Sequence, residues 1–209
     1  MTERAQKLNP VVTDLWVWQA YDPRVKADLS SCLIRAERGL IVVDPIDLPE
    51  TDWALLGRMG PVVAIVLTNG NHSRASARFR SRLGAPVLAH PDAVGELESP
   101  VDGTLRAGQR IGGSLEHIEL PGAGPGEVAL YDGRGRLHLG DALINLDSTG
   151  FAILPEKYCS DSALLKRSLQ RLGERRVEVM TFAHGAAITG AATSCLADLL
   201  QALRTGLSA

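Results

Sequence analysis

Several signatures are missing from this chain, and each absence narrows its function. Cysteine is sparse: Cys32, Cys159 and Cys195 are odd in number and far apart. No CxxC pair occurs, which argues against a disulfide framework or a Cys-based zinc knuckle and suits reduced thiols in a cytoplasm. Neither sign of charge dominates, with 24 acidic and 22 basic side chains for a formal charge of -2. Nothing there would draw the chain to nucleic acid or to an anionic membrane. No apolar run is long enough to span a bilayer, and Met1 to Lys7 lacks the basic-then-apolar order of a signal peptide. No GxSxG elbow, phosphate loop or dinucleotide fingerprint occurs either.

What is present reads as one domain over residues 1–209, with residues 1–10 as a loose N-terminal tail. Cys32-Leu33-Ile34 and Leu40 to Val43 flank a turn at Glu37-Arg38-Gly39. Val62 to Leu67 is a continuous apolar run, the pattern of a strand covered on both faces. His72 to Leu83 reads as a helix, with Ala75, Phe79 and Leu83 on one face and Gly84 as its C-terminal cap. Leu115 to Leu120, Glu127 to Tyr131, Leu137 to Leu139 and Val177 to Phe182 read as strands. Asp161 or Ser160 caps a helix bearing Leu165, Leu169 and Leu172, ended by Gly173. Thr193 or Ser194 caps a final helix bearing Leu196, Leu199, Leu200, Leu203 and Leu207. Strands with helices between and after them suggest two packed sheets with helices outside.

Five segments, in order, resemble the metallo-β-lactamase-fold hydrolases. Leu40-Ile41-Val42-Val43-Asp44 resembles that family's strand ending in Asp. Thr68 to Arg74 stands where the family carries His-x-His-x-Asp-His. Gly108 to Gly126 resembles the run into Thr-Pro-Gly-His-Thr-Pro-Gly. Leu137 to Leu143 resembles the strand delivering the bridging Asp, here Asp141. Phe182-Ala183-His184-Gly185 resembles the loop with the last His. The resemblance implies an α+β fold, an αβ/βα four-layer sandwich of two mixed β-sheets with helices outside. The site would lie at one edge, between the sheets.

The same resemblance implies a depleted metal site. In this register Asn69, Asn71, Ser73, Arg74 and Ala123 replace five of the family's seven ligands, and Asp141 and His184 remain. Amide oxygens are poor zinc ligands, Ala offers none, and Arg74 carries a permanent positive charge. The expectation is therefore no metal and no cofactor, with zinc admitted only as a weak mononuclear site of His72, Asp141 and His184. His72 falls out of phase with the ligand positions and is expected to start the helix, facing solvent or bonding locally. Arg74 is expected to pair with Asp141 and close the old site.

Asn69, Asn71 and Ser73 suit the loop and first helical turn as cap formers, or hold an anionic ligand together with His72, Arg74, Asp141 and His184. Arg74, Arg78 and Arg82 form a stripe expected to be solvated. His90, His117 and His138 lie at or within strand patterns and read as structural. Cys159 has no His beside it and reads as an incidental thiol. The function expected is a non-catalytic descendant of the hydrolase fold, a small-ligand binder or an oligomeric scaffold. The alternative is hydrolysis of an ester, lactone or thioester at a remodelled mononuclear or metal-free site, with Asp141, His184 and His72 as the catalytic candidates. The apolar stretch Val11, Val12, Leu15, Trp16, Val17 and Trp18 suggests an edge strand covered in a homodimer.

Overall fold

Alternation within each apolar strand determines the layering. The computed structural model describes residues 7–205. β1 (Asn9–Val12), β2 (Leu15–Asp22), β3 (Ala27–Ala36) and β4 (Gly39–Val43) form an antiparallel meander. β5 (Val62–Leu67), β6 (Val87–Ala89) and β7 (Gly103–Thr104) extend it in parallel into a seven-stranded sheet, with α1 (Glu50–Met59) and α2 (Ser76–Leu83) as connections. Leu40 and Val42 of β4, with Ile65 and Leu67 of β5, point to one face. They meet Trp53 and Leu56 of α1 and Phe79 of α2. Ile41, Val43, Ala64 and Val66 point to the other face and pack against the second sheet. A strand buried on both sides needs an unbroken apolar run, which is what Val62 to Leu67 supplies.

The second sheet has the order β14, β11, β10, β9, β8, from β8 (Arg110–Ile111), β9 (Leu115–Glu119), β10 (Val128–Tyr131), β11 (Arg136–Leu139) and β14 (Val179–Phe182). β14 runs parallel to β11. α3 (Ser162–Leu169) and α4 (Ala192–Thr205) cover its outer face, burying Leu165, Leu169, Leu196, Leu199 and Leu200. A separate hairpin of β12 (Leu143–Leu146) and β13 (Gly150–Ile153) follows β11. The result is the expected α+β sandwich of four layers: helices, sheet, sheet, helices.

Several local expectations need correction. α2 begins at Ser76, not His72, because residues 69–75 are used in a turn that shapes the site. α4 begins at Ala192, so Thr193 and Ser194 sit in its first turn. Their hydroxyls donate to the Val177 and Ala191 carbonyls. Asp161 does cap α3, accepting from the Leu164 N–H at 2.8 Å, but a tighter 3-10 turn carries the chain past Gly173 to Glu174. Leu207 and residues 1–6 of the tail lie outside the described residues. Asn9 and Pro10 already pair in β1, and Leu8 is buried with its N–H on the Asp52 carboxylate. The arginine stripe is paired rather than merely solvated. Arg78 meets Asp47 and Glu50, Arg82 meets Glu50, and both guanidinium groups lie over Trp53. Trp18 is buried under α2, stacked on Phe79 at 6.0 Å, while Trp16 stays half-buried beside Arg35.

Candidate metal centre

Four strand ends converge at one edge of the sandwich. Asp44 follows β4, Thr68 to His72 follow β5, Asp141 follows β11 and His184 follows β14. Carboxyl ends of strands, where chains turn outward, are the usual place for a site in such sheets. The loop after β5 is held by its own side chains. Asn69 Oδ1 accepts the Asn71 N–H at 2.8 Å, and Ser73 Oγ accepts the Glu98 N–H at 2.8 Å. Asn69 and Ser73 thus hold the loop with their side chains, while Asn71 contributes its N–H and leaves an exposed side chain.

His72 corrects the expectation most sharply. It is buried and turned inward, not toward solvent. Its Nε2 lies 3.1 Å from Asp141 Oδ1, and His184 Nε2 lies 3.1 Å from the same oxygen. Its Nδ1 lies 2.9 Å from Asp44 Oδ2 and 2.9 Å from Thr68 Oγ1. Thr68 in turn donates its hydroxyl and its N–H to the two oxygens of Asp44, at 2.6 and 2.8 Å. One donor atom each from His72, Asp141 and His184 falls within 4.8 Å of the others. Two imidazoles and a carboxylate are a donor set for zinc or iron, and an outer carboxylate on the second nitrogen of a histidine is how such ligands are oriented. The residues fit one ion.

The Arg74 expectation also fails. No ion pair joins Arg74 to Asp141 among the described residues. Its guanidinium instead donates to three backbone carbonyls: Ser30 at 2.7 Å, Asp44 at 3.1 Å and Ala183 at 3.3 Å. It therefore ties β3 to the end of β14 beneath the site. Arg74 and Asp44 both sit at positive φ, 39° and 46°, and for non-glycine residues such backbone strain clusters where a site needs it. His184 is set by the same seam. The Ser30 N–H donates to the Ala183 carbonyl, and the Asn145 N–H to the His184 carbonyl. Gly185, at φ 96°, must be glycine because a Cβ there would run into the Asn145 carbonyl.

Charge is balanced inside this edge. Burial pushes the Asp44 carboxyl up, but the His72 charge, the facing His138 ring and the hydrogen bond from His72 win, and it lies below the usual carboxylate range. Burial likewise raises Asp141, and the charge of His72 with hydrogen bonds from His184 and His72 outweighs it, leaving it low. For His72, burial and Arg74 push down, yet Asp44 and Asp141 raise it to about 9. Burial and the Asp141 charge push Glu127 up to about 8, against the Ala142 N–H and the Asn69 amide that donate to it at 3.0 and 2.8 Å.

A pH dependence follows for the metal-free protein. A folded pKa raised from 6.5 to about 9 means that the His72 contribution is complete below pH 6.5 and is lost as pH rises through about 9. Glu127 adds a slope of the same sign between pH 4.5 and about 8. The His72 share is thus read above pH 8. Urea midpoints should fall more steeply between pH 8 and 9 for the natural chain than for His72→Gln, the buried Cys32 thiol giving both the same further decline; equal profiles would refute the protonated bridge.

Sequence reasoning named His72, Asp141 and His184 but missed what holds them. Asp44 was read as a fold marker only, while Thr68, Glu127 and His138 were given no role in the site. The available signals were single polar residues at strand ends or in apolar strands, at Asp44, Glu127 and His138. The anionic-ligand role for Asn69 and Ser73 gains no support, since both side chains are spent within the protein.

A family model described as the metallo-beta-lactamase superfamily matches residues 9–203. The chain belongs to the metallo-beta-lactamase superfamily. Solved metallo-beta-lactamases share the fold at low identity. The protein from Pontibacter korlensis superposes with a TM-score of 0.74 at 19% identity, covering 96% of this chain and 99% of that one. The DIM-1 enzyme gives 0.76 at 15%, covering 99% and 100%. FIM-1 from Pseudomonas aeruginosa, solved in a mono-zinc form, gives 0.73 at 16%, covering 96% and 95%. A comparison with curated proteins gives no match. Within this superfamily's motif, the residue reaching Asp141 and His184 is His72, two positions before Arg74. No helix among the described residues is long and apolar enough to cross a membrane.

Proposed function

We propose that this chain is a single-metal member of the superfamily that hydrolyses an ester, lactone or thioester. The observation that carries the reading is the convergence of His72 Nε2, Asp141 Oδ1 and His184 Nε2, with His72 Nδ1 held by Asp44. If His72 takes the last His of the motif, Asn71 stands at its Asp, and Asn69 and Leu67 at its first two His. Three protein ligands with an open position is the catalytic pattern for zinc. A divalent ion held there would act as a Lewis acid toward a carbonyl. The protein's own residues do the rest. Asp44 and Thr68 orient His72, Glu127 holds Asn69, and the exposed Asn71 amide beside Gly124 is free to donate to a substrate oxygen.

Metal content tests this directly. Protein purified without chelators and dialysed against zinc, iron or manganese should hold about one ion per chain. His184→Ala should lose it, and the loaded protein should cleave at least one substrate in a panel of esters, lactones and thioesters. Well under one ion per chain would refute the reading.

A second reading is a non-catalytic small-ligand binder or scaffold. It is favoured by the way Asp141 is already satisfied by two histidines, so that the triad closes on itself without an ion. We also propose a homodimer through the β1 edge, where Val11, Val12 and Val17 are only partly buried. Light scattering at micromolar concentration would read it; a persistent 22.3 kDa species would refute it. Three unpaired thiols suit a reducing compartment, the cytoplasm.

A further inference from the structure

His138 is a polar residue at a position that a leucine or phenylalanine would fill at lower cost. It lies in β11, 1% exposed, with the strand's neighbouring Leu137 and Leu139 buried beside it. Its Nδ1 is 2.9 Å from Thr181 Oγ1, and Thr181 Oγ1 is 3.8 Å from the thiol of Cys32. Its Nε2 is fully buried and has no hydrogen-bond partner. The polar atom it faces is Asp44 Oδ2 at 3.8 Å. A buried ring nitrogen left without a bond is costly and calls for a reason.

The network assigns the proton on that ring. Nε2 faces the Asp44 carboxylate, where a hydrogen is favoured over a lone pair, so the neutral imidazole is assigned its hydrogen on Nε2 and Nδ1 accepts from the Thr181 hydroxyl. Burial pushes the His138 pKa down, against the Asp44 charge, which favours the neutral ring. Asp44 Oδ2 is then approached by two rings. His72 Nδ1 stands at 2.9 Å and His138 Nε2 at 3.8 Å, with the Thr68 hydroxyl at 2.6 Å. The chain of contacts runs from the second sheet, through Thr181 and His138, to the carboxylate at the end of β4 and on to His72.

We infer that His138 is a positioning residue for the metal site, its Nε2–H steadying the Asp44 carboxylate that orients His72, with Thr181 setting the direction of that N–H. The inference rests on the single-metal reading above. Loss of an outer partner of a metal-ligating histidine costs affinity by tenfold or more.

Two variants test it. His138→Phe keeps a flat ring, somewhat larger, and removes the N–H. Thr181→Val is nearly isosteric and removes only the hydroxyl that fixes the ring's tautomer. Zinc affinity, measured by competition with a chromophoric chelator, should weaken about tenfold in both. In metal-free protein labelled with 15N-histidine, both variants should also move the ring nitrogen signals of His72. Packing alone would lower thermal stability while leaving zinc affinity and the His72 signals unchanged, and that result would overturn the inference. Zinc binding that tightened in either variant would overturn it as well. If the natural chain bound no zinc, the single-metal reading would fall, while the His72 signals of the metal-free protein would still decide for or against the His138 contact.

Discussion

Asp44→Ala should destabilise the protein by about 4 kcal/mol, the largest effect expected of any single change near the site. Asp44 is fully buried and accepts from the Thr68 N–H, the Thr68 hydroxyl and His72 Nδ1. Removing it leaves the buried His72 imidazolium with Asp141 alone as counter-charge and takes the acceptor from two donors of Thr68. Breaking a buried pair from one side is much worse than replacing both partners, because the remaining charge keeps its desolvation cost. Asp44→Asn should lose roughly half as much, since the amide keeps one acceptor but turns an N–H toward one of Thr68's donors. Urea unfolding should show a lower midpoint at an unchanged slope. A shift below about 1 kcal/mol in Asp44→Ala would refute the account of a charged, fully engaged carboxylate.

Arg74→Ala should cost about 3 kcal/mol, through lost charge-assisted hydrogen bonds to backbone carbonyls rather than a broken ion pair. The guanidinium ties the Ser30, Asp44 and Ala183 oxygens together across the two sheets, although Asp44 keeps the Ser31 hydroxyl and Ala183 the Ser30 N–H as second donors. Water can reach some of them once the side chain is gone, which keeps the loss below the sum of three bonds. Arg74→Lys should recover less than half, because an ammonium cannot reproduce the planar fork that meets three acceptors at once. Full recovery by lysine would show that only the charge matters and would refute the carbonyl-clamp account. The same fork explains why the charge is not spent on Asp141. Three carbonyl oxygens converge within 3.3 Å of it, and Asp141 is already bound by His72 and His184.

The sequence determined the sandwich because its evidence is one-dimensional. Apolar runs such as Val62 to Leu67 report burial on both faces, and alternation through Leu40 to Val43 sends neighbours to different layers. The ordered segments ending in Asp44, Asp141 and His184 therefore marked the strand ends where a site had to lie. What only the tertiary structure decided is which loop residue faces inward. Residues 69–75 do not continue the helix of α2 backward; an Asn69 turn and the positive φ of Arg74 rotate the loop so that His72 enters the site and Arg74 passes beneath it. The ligand positions, aligned along the chain by resemblance, assign those two side chains the wrong way round. The partners of His72 were equally out of reach of sequence reasoning. Asp44 is 28 residues away and Asp141 is 69, and only the packing of two sheets brings their strand ends to the same edge.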